Sequence, residues 1–387
     1  MWVAGRLVES GESVRVTIDG ARITCIEIVD RAPDIWIAPG LIDMQVNGYA
    51  GHDVNAPDVT AEDIDGLTRV MWQLGVTAYC PTIITNSEEQ INRSLRAITE
   101  ARLQDPLVAR SIPCIHVEGP HISAEDGPRG AHPRTHVRPP DVREYGRWQE
   151  AAGGHIGLIT LSPEYPEAMA YIRAVTADGV VAGIGHTGAT ADQIRAAVHA
   201  GARLSTHLGN GAHDQLRRHP NYLWEQLAED RLIATFIFDG HHLPDSVMKT
   251  ALRAKGVDRT ILISDSVALT GLPRGVYERA DGSRVELLPS GKLNLFGTPY
   301  LAGSTATLAV CVANAVRIAG ASLAEAIRMA SANPIRLLGL EGPHRRGTIR
   351  VGVPADLTLF RHDPATSEIS PHVTIVGGEM VYRADAT

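Results

Sequence analysis

The chain has little cysteine, no basic run and no long apolar stretch, and each shortage removes a class of protein. Four cysteines (Cys25, Cys80, Cys114, Cys311) are scattered over 387 residues without a CxxC pair. That argues against a disulfide framework and a cysteine zinc site, and makes a reducing cytosol the expected compartment. No run of 18 uncharged apolar residues is available to span a bilayer, so no membrane partner is expected. The start, MWVAGRLVES, lacks the longer apolar core of a secretory signal. A net charge of −8 without clustered lysine or arginine argues against nucleic acid as a partner. What remains is a globular composition, 44% hydrophobic, with sixteen histidines.

The first 30 residues alternate as short strands, Val14 to Ile18 and Ile23 to Ile28, around an Asp19-Gly20 turn, a strong hairpin signal. The C-terminal region reads alike, with strands near Leu357 to Phe360 and Val373 to Val376 and a Gly377-Gly378 turn. Residues 1–38 and 346–387 are therefore expected to form one small β-sandwich domain. Residues 39–345 have a different texture. Ile64, Leu67, Val70, Met71 and Leu74 recur at helical spacing before a strand-like run at Val76 to Cys80. Ile91, Leu95 and Ile98 mark another helix behind a Ser87 cap. Strand-like runs follow at Ile112 to Val117, Ile156 to Leu161, Val180 to Ile184, Ala202 to Ser205, Ile233 to Phe238 and Thr260 to Ile263. Such alternation implies a parallel sheet, and the number of units favours an α/β fold of the closed (β/α)₈ TIM-barrel type. The stretch from Tyr277 to Asn294, with Asp281-Gly282 and Ser290-Gly291 turns, reads as an inserted hairpin.

A β/α barrel builds its site at the C-terminal ends of the strands. The residues there are Glu118, His186, His207, the pair His241-His242, and Asp265. A single histidine or aspartate in such a place is commonly a hydrogen-bonded structural residue or a helix cap. Five successive strand ends sharing one rim are harder to explain that way. Glu118, His186 and His207 supply one carboxylate and two imidazoles, a set that leaves a coordination position open as catalytic zinc requires. Asp265 is then placed to act as the base on the activated water.

At these residues the chain resembles the N-acetylglucosamine-6-phosphate deacetylases of the amidohydrolase superfamily. The resemblance runs from Ala38-Pro39-Gly40-Leu41-Ile42-Asp43 to Gly352-Val353-Pro354-Ala355-Asp356-Leu357. It includes His116-Val117-Glu118-Gly119-Pro120, Gly130-Ala131-His132, Gly185-His186-Thr187, Thr206-His207-Leu208, Asp239-Gly240-His241-His242, Ser264-Asp265 and Ala302-Gly303-Ser304. It implies metal ligation by Glu118, His186 and His207, with Asp265 catalytic. It further implies that His132 and His242 contact the sugar, that Asn210 and Gly211 serve the phosphate or sugar site, and that Arg218 reaches phosphate across a homodimer interface. The implied reaction is hydrolysis of the N-acetyl group of an amino-sugar 6-phosphate by one divalent ion per chain, zinc above Fe²⁺, Mn²⁺ or Co²⁺.

Two departures qualify the resemblance. Asp43-Met44-Gln45-Val46-Asn47-Gly48 stands where many relatives carry His-x-His for a second metal, and amides are poor zinc ligands. After His207 the chain reads Gly209-Asn210-Gly211-Ala212 instead of an aromatic residue, Asn, Ala and Met. That reshaped loop keeps open an acetamido sugar without phosphate, or an N-acyl amino acid. A degenerate barrel that binds sugar or metal without catalysis is the reading from another class, and the intact Glu118, His186, His207 and Asp265 argue against it.

Overall fold

A computed structural model describes residues 1–279, 282–298, 301–340 and 346–385. Eight parallel strands lie in chain order around one sheet: β1 (Leu41–Val46), β2 (Val76–Ile84), β3 (Ile115–Glu118), β4 (Ile156–Leu161), β5 (Val181–Ile184), β6 (Leu204–Ser205), β7 (Ile233–Phe236) and β8 (Thr260–Leu262). The seam between β8 and β1 is closed by a parallel bridge from Val46 to Ser266. Asp265 N donates to Gln45 O (3.0 Å) and Asn47 N to Ser266 O (2.8 Å). The expected strand positions agree, but β6 is only Leu204–Ser205 and β3 begins at Ile115, after Pro113.

Helices between strands bury one apolar stripe each. Ala61–Gln73 is set by a capping box, with Thr60 accepting from Asp63 N and Asp63 accepting from Thr60 N. It buries Ile64, Leu67, Met71 and Trp72. Glu88–Gln104 is capped by Ser87 and buries Ile91, Leu95 and Ile98, in agreement with the 3.6-residue spacing.

The two-residue alternation of strands fills the barrel in layers. Met44, Cys80, Cys114, Leu158, Leu204, Ile261 and Ile263 form an apolar floor. Two residues further up their strands, Thr82, His116, Thr160 and Thr206 form a hydrogen-bonded polar layer. His116 Nε2 lies 2.8 Å from Thr160 Oγ1, which is 2.7 Å from Thr206 Oγ1. On β5 the corresponding place is Gly183, where a Cβ would sit 2.8 Å from Thr206 Oγ1. One step above His116 is Glu118.

Strands from both chain ends build a second sheet. Its order is Glu379–Arg383, Ile369–Val376, Leu357–His362, Trp36–Pro39, Trp2–Leu7, Ser13–Asp19 and Arg22–Ile28. It is one continuous sheet that curls back on itself to make the sandwich. Ile23 on its last strand shares a core with Leu357 and Ile375, and Ile23 N donates to Val353 O. Its outer side rests on the barrel, where Thr358 Oγ1 donates to Gly75 O and Thr374 Oγ1 to Trp72 O, both at 2.6 Å.

The insertion after β8 is a three-stranded meander, Gly275–Glu278, Arg284–Leu287 and Leu293–Leu295, rather than a two-stranded hairpin. The third strand arises because Val285, Leu287 and Leu293 together bury a face over Ala302. The Ser290-Gly291 turn is present, whereas Asp281 of the Asp281-Gly282 turn lies outside the described residues.

A candidate metal centre at the barrel mouth

Glu118 points up the barrel axis because it is in phase with His116 on β3 and with Cys114 just before that strand. His186 and His207 are not in phase. Each follows an inward residue, Gly185 or Thr206, so strict alternation would turn it outward. Both adopt left-handed backbone, φ +49° at His186 and +29° at His207, and so does Asp265 at +50°. Among the described residues only Ala50 and Ser367 are other non-glycine examples. Such conformations cost on the order of 1–3 kcal/mol each. Their concentration at three strand ends of one rim marks the place where backbone strain serves aim.

The result is a buried cluster. Glu118, His186 and His207 each offer a ligand atom, and these atoms lie within 4.8 Å of one another. His207 Nε2 is 2.8 Å and His186 Nε2 is 3.4 Å from Glu118 Oε1. His186 Nδ1 lies 2.8 Å from Pro128 O. A carbonyl only accepts, so Nδ1 carries a hydrogen, and Nε2, on the side of the carboxylate, is the ring's ligand atom. The carbonyl that holds Nδ1 is the usual outer support of a metal-binding imidazole. The donor set therefore fits a divalent ion such as zinc.

The charges agree. Burial works against the Glu118 carboxylate, but hydrogen bonds and charge from His186 and His207 win and hold it well below the usual carboxylate range. Burial likewise opposes charge on His207, yet the Glu118 contact raises that imidazole overall. Asp265 is pushed up to about 6, chiefly by burial and then by the charge of Glu118. No helix begins at Asp265; the next is Leu308–Asn314, so this carboxylate is not a helix cap. The hydrogen bond it accepts is from Asn47 Nδ2 to Oδ1, at 2.7 Å.

A model of the amidohydrolase family matches residues 36–381. The chain is 31% identical over 332 residues to the N-acetylglucosamine-6-phosphate deacetylase of Bacillus subtilis, covering 85% of this chain and 82% of the relative. It is 31% identical over 359 residues to the Homo sapiens protein of that name, covering 90% and 84%. The chain belongs to the N-acetylglucosamine-6-phosphate deacetylase family. Among solved structures, that of a mutant Mycobacterium smegmatis deacetylase in complex with N-acetyl-D-glucosamine-6-phosphate superposes with a TM-score of 0.86. Its sequence is 28% identical, with 98% of this chain and 99% of that one covered. The Thermotoga maritima deacetylase gives 0.86 at 27% identity, covering 99% and 100%.

Around the three metal-competent groups, the deacetylase fold gathers most of the other sequence candidates. His132 stands beside them, its ring centroid 4.3 Å from that of His186 and its Nε2 4.0 Å from Glu118 Oε2. Thr85 Oγ1 holds its Nδ1 at 2.8 Å, and burial, then His186, pushes it down to about 3. His132 is thus a neutral imidazole at working pH. His242 Nδ1 lies 2.6 Å from Asp239 Oδ2, while Asp239 Oδ1 accepts the backbone N–H groups of His241 and His242 at 2.8 Å. Asn210 folds back on His207 O through its backbone N–H (2.9 Å) and Nδ2 (3.3 Å). Gly211, at φ +56°, lies so close to His186 that a Cβ would sit 2.6 Å from Nδ1. Arg218 is not brought in: with Arg217 it lies exposed on the loop before the Tyr222–Ala228 helix.

Supporting residues were less visible in the sequence. Gln45 Nε2 donates to Glu118 Oε1 at 2.9 Å, and Asn47 serves Asp265 as described. Asp239 has a readable signal, a carboxylate at the end of the β7 run. Thr85 follows the β2 run but meets His132 only through the folded loop after β3, and the Pro128 carbonyl has no signal, because that loop alone brings it to His186.

Proposed function

We propose that this protein hydrolyses the N-acetyl group of N-acetylglucosamine-6-phosphate, giving glucosamine-6-phosphate and acetate. The observation that carries the reading is the buried Glu118, His186 and His207 cluster, with His186 Nδ1 held by the Pro128 carbonyl and its Nε2 turned to Glu118. Those three residues would hold one divalent ion, and the two-imidazole, one-carboxylate set favours zinc. When bound, such an ion is a Lewis acid that polarises the acetamide carbonyl and lowers the pKa of water to roughly 7.

The chain supplies the proton traffic and the orientation. Asp265, its Oδ1 held by Asn47, takes the proton of the attacking water and returns it to the sugar nitrogen. An amine then departs instead of an amide anion. The neutral His132 is placed beside the cluster to steady the carbonyl oxygen as charge develops on it. His242, fixed by Asp239, together with Asn210 and Gly211, lies on the rim where the sugar phosphate would sit. Arg218, exposed in one chain, suits a phosphate contact across a homodimer interface. No helix of the described residues is long and apolar enough to cross a membrane, and the four free cysteines suit a reducing cytoplasm.

The test is acetate release by zinc-loaded protein from the phosphorylated sugar and from free N-acetylglucosamine. A preference for the phosphorylated sugar is expected. Equal rates would favour the free acetamido sugar, to which the glycine-rich loop after His207 also lends itself. No release from either would overturn the deacetylase reading.

A further inference from the structure

We propose that Gln45 and Asn47, at the end of β1, are positioning residues with separate tasks: Gln45 fixes the Glu118 carboxylate for the cation, and Asn47 turns the Asp265 carboxylate so that one oxygen is left for the proton. The division of tasks rests on the deacetylase reading above. The pairing of β1 with β2 shifts register between Asp43 and Val46, and this turns Gln45 inward although its neighbour Met44 already belongs to the barrel floor. Gln45 is 1% exposed, and its Nε2 donates to Glu118 Oε1 at 2.9 Å. That oxygen also faces His186 and His207, so a donor fixed on it limits rotation of the carboxylate both imidazoles share.

Asn47 stands two residues on. Its Nδ2 donates to Asp265 Oδ1 at 2.7 Å. An ionised carboxylate only accepts, so the nitrogen must face it and the side-chain orientation is not ambiguous. Asn47 Oδ1 is then buried without a hydrogen-bond partner in the protein. The polar contact of this amide is therefore made through Nδ2 alone. What it does hold is one oxygen of Asp265, leaving Oδ2 to exchange the proton. The backbone bonds from Asp265 N to Gln45 O and from Asn47 N to Ser266 O fix both strands' ends in one frame, so each amide meets its own carboxylate.

Zinc affinity, read by chelator competition, and steady-state kinetics at saturating zinc separate the two tasks. Gln45→Ala should weaken zinc about 10–100-fold, with activity returning at high zinc. Asn47→Ala should keep zinc affinity within about threefold of wild type while kcat falls about 10–100-fold with little change in KM. Asn47→Asp, of the same size, answers the case in which the alanine variant fails to fold, and should lower kcat at least as far. Zinc loss in the Asn47 variants, zinc retention in Gln45→Ala, or an unchanged kcat in the Asn47 variants would overturn the proposal. Zinc is read without substrate, so a wild type inactive on the sugar phosphate would fault the deacetylase reading alone, while the zinc affinities still decide whether the two amides differ in task.

Discussion

Asp265 is the residue on which the chemistry turns, because it is a buried carboxylate at the end of β8, beside the Glu118 cluster, and is raised toward neutral pH. Asp265→Asn preserves shape and the strand end but cannot accept a proton. General acid–base contributions are typically ~10²–10⁴-fold, and one residue serving both proton transfers belongs near the top. We expect kcat to fall about 10³-fold with metal content and fold retained. Metal loss in parallel, recovered at high metal concentration, would make Asp265 a ligand instead. The pH dependence follows in sign. Burial raises this carboxylate to about 6, and the base form is the active one. Activity of the wild type should therefore fall as pH drops through the region at or below 6. A bound cation nearby favours the carboxylate and moves the limb lower. An acid limb above pH 7 in the kcat/KM profile would contradict this assignment.

At the scale of elements, the strand ends decide metal number and substrate. β1 ends in Gln45 and Asn47, two amides already engaged as donors to carboxylates, so it offers no imidazole to a second cation. Elemental analysis of protein purified without added metal should find about one equivalent per chain. Two equivalents kept through dialysis would refute a mononuclear centre. The loop after β6 bears on substrate. Arg218 is exposed, and charge-assisted contacts to phosphate contribute roughly 1.5–3 kcal/mol. Arg218→Ala should lower kcat/KM for the phosphorylated sugar about tenfold or more and barely alter the free sugar. Equal losses on both would give Arg218 a structural role.

The same strand ends show what a sequence can disclose. Glu118, His186, His207 and Asp265 were readable because each closes an apolar run and a barrel gives all such ends one rim. Their aim was not readable. His186 and His207 lie out of phase with the inward residues before them, and left-handed backbone, which no residue type announces at a histidine, turns them in. The third strand of the meander was hidden for a related reason, since Leu293–Leu295 is too short to show a period. Arg218 was legible only as a match in spacing, because it lies exposed on its loop, away from the cluster.

The whole molecule joins two cores, and we propose that residues 1–38 with 346–387 and residues 39–345 are the corresponding domains. One buried carboxylate ties them. Asp356, just before the terminal-sheet strand Leu357–His362, accepts from Arg110 Nε and Nη2 at 2.9 Å, from Arg346 Nε at 2.8 Å and from Gly377 N at 2.7 Å. Arg110 belongs to the barrel helix Pro106–Ser111, so the contact bridges the two units. Burial opposes the Asp356 charge, but the two guanidinium groups outweigh it and hold the carboxyl below its ordinary value. Removing one partner of a buried ion pair costs about 3–5 kcal/mol, and the partly exposed Arg110 places the loss near the lower bound. Asp356→Asn should therefore lower the denaturation midpoint at pH 7. A depressed carboxyl stabilises fully above its unfolded pKa, about 3.9, and loses that contribution as pH falls through the lower folded value. The gap between wild type and variant should be constant above about pH 5 and narrow below pH 4. A gap that stays unchanged down to pH 3 would mean that Asp356 acts through packing and its backbone contact, without its charge.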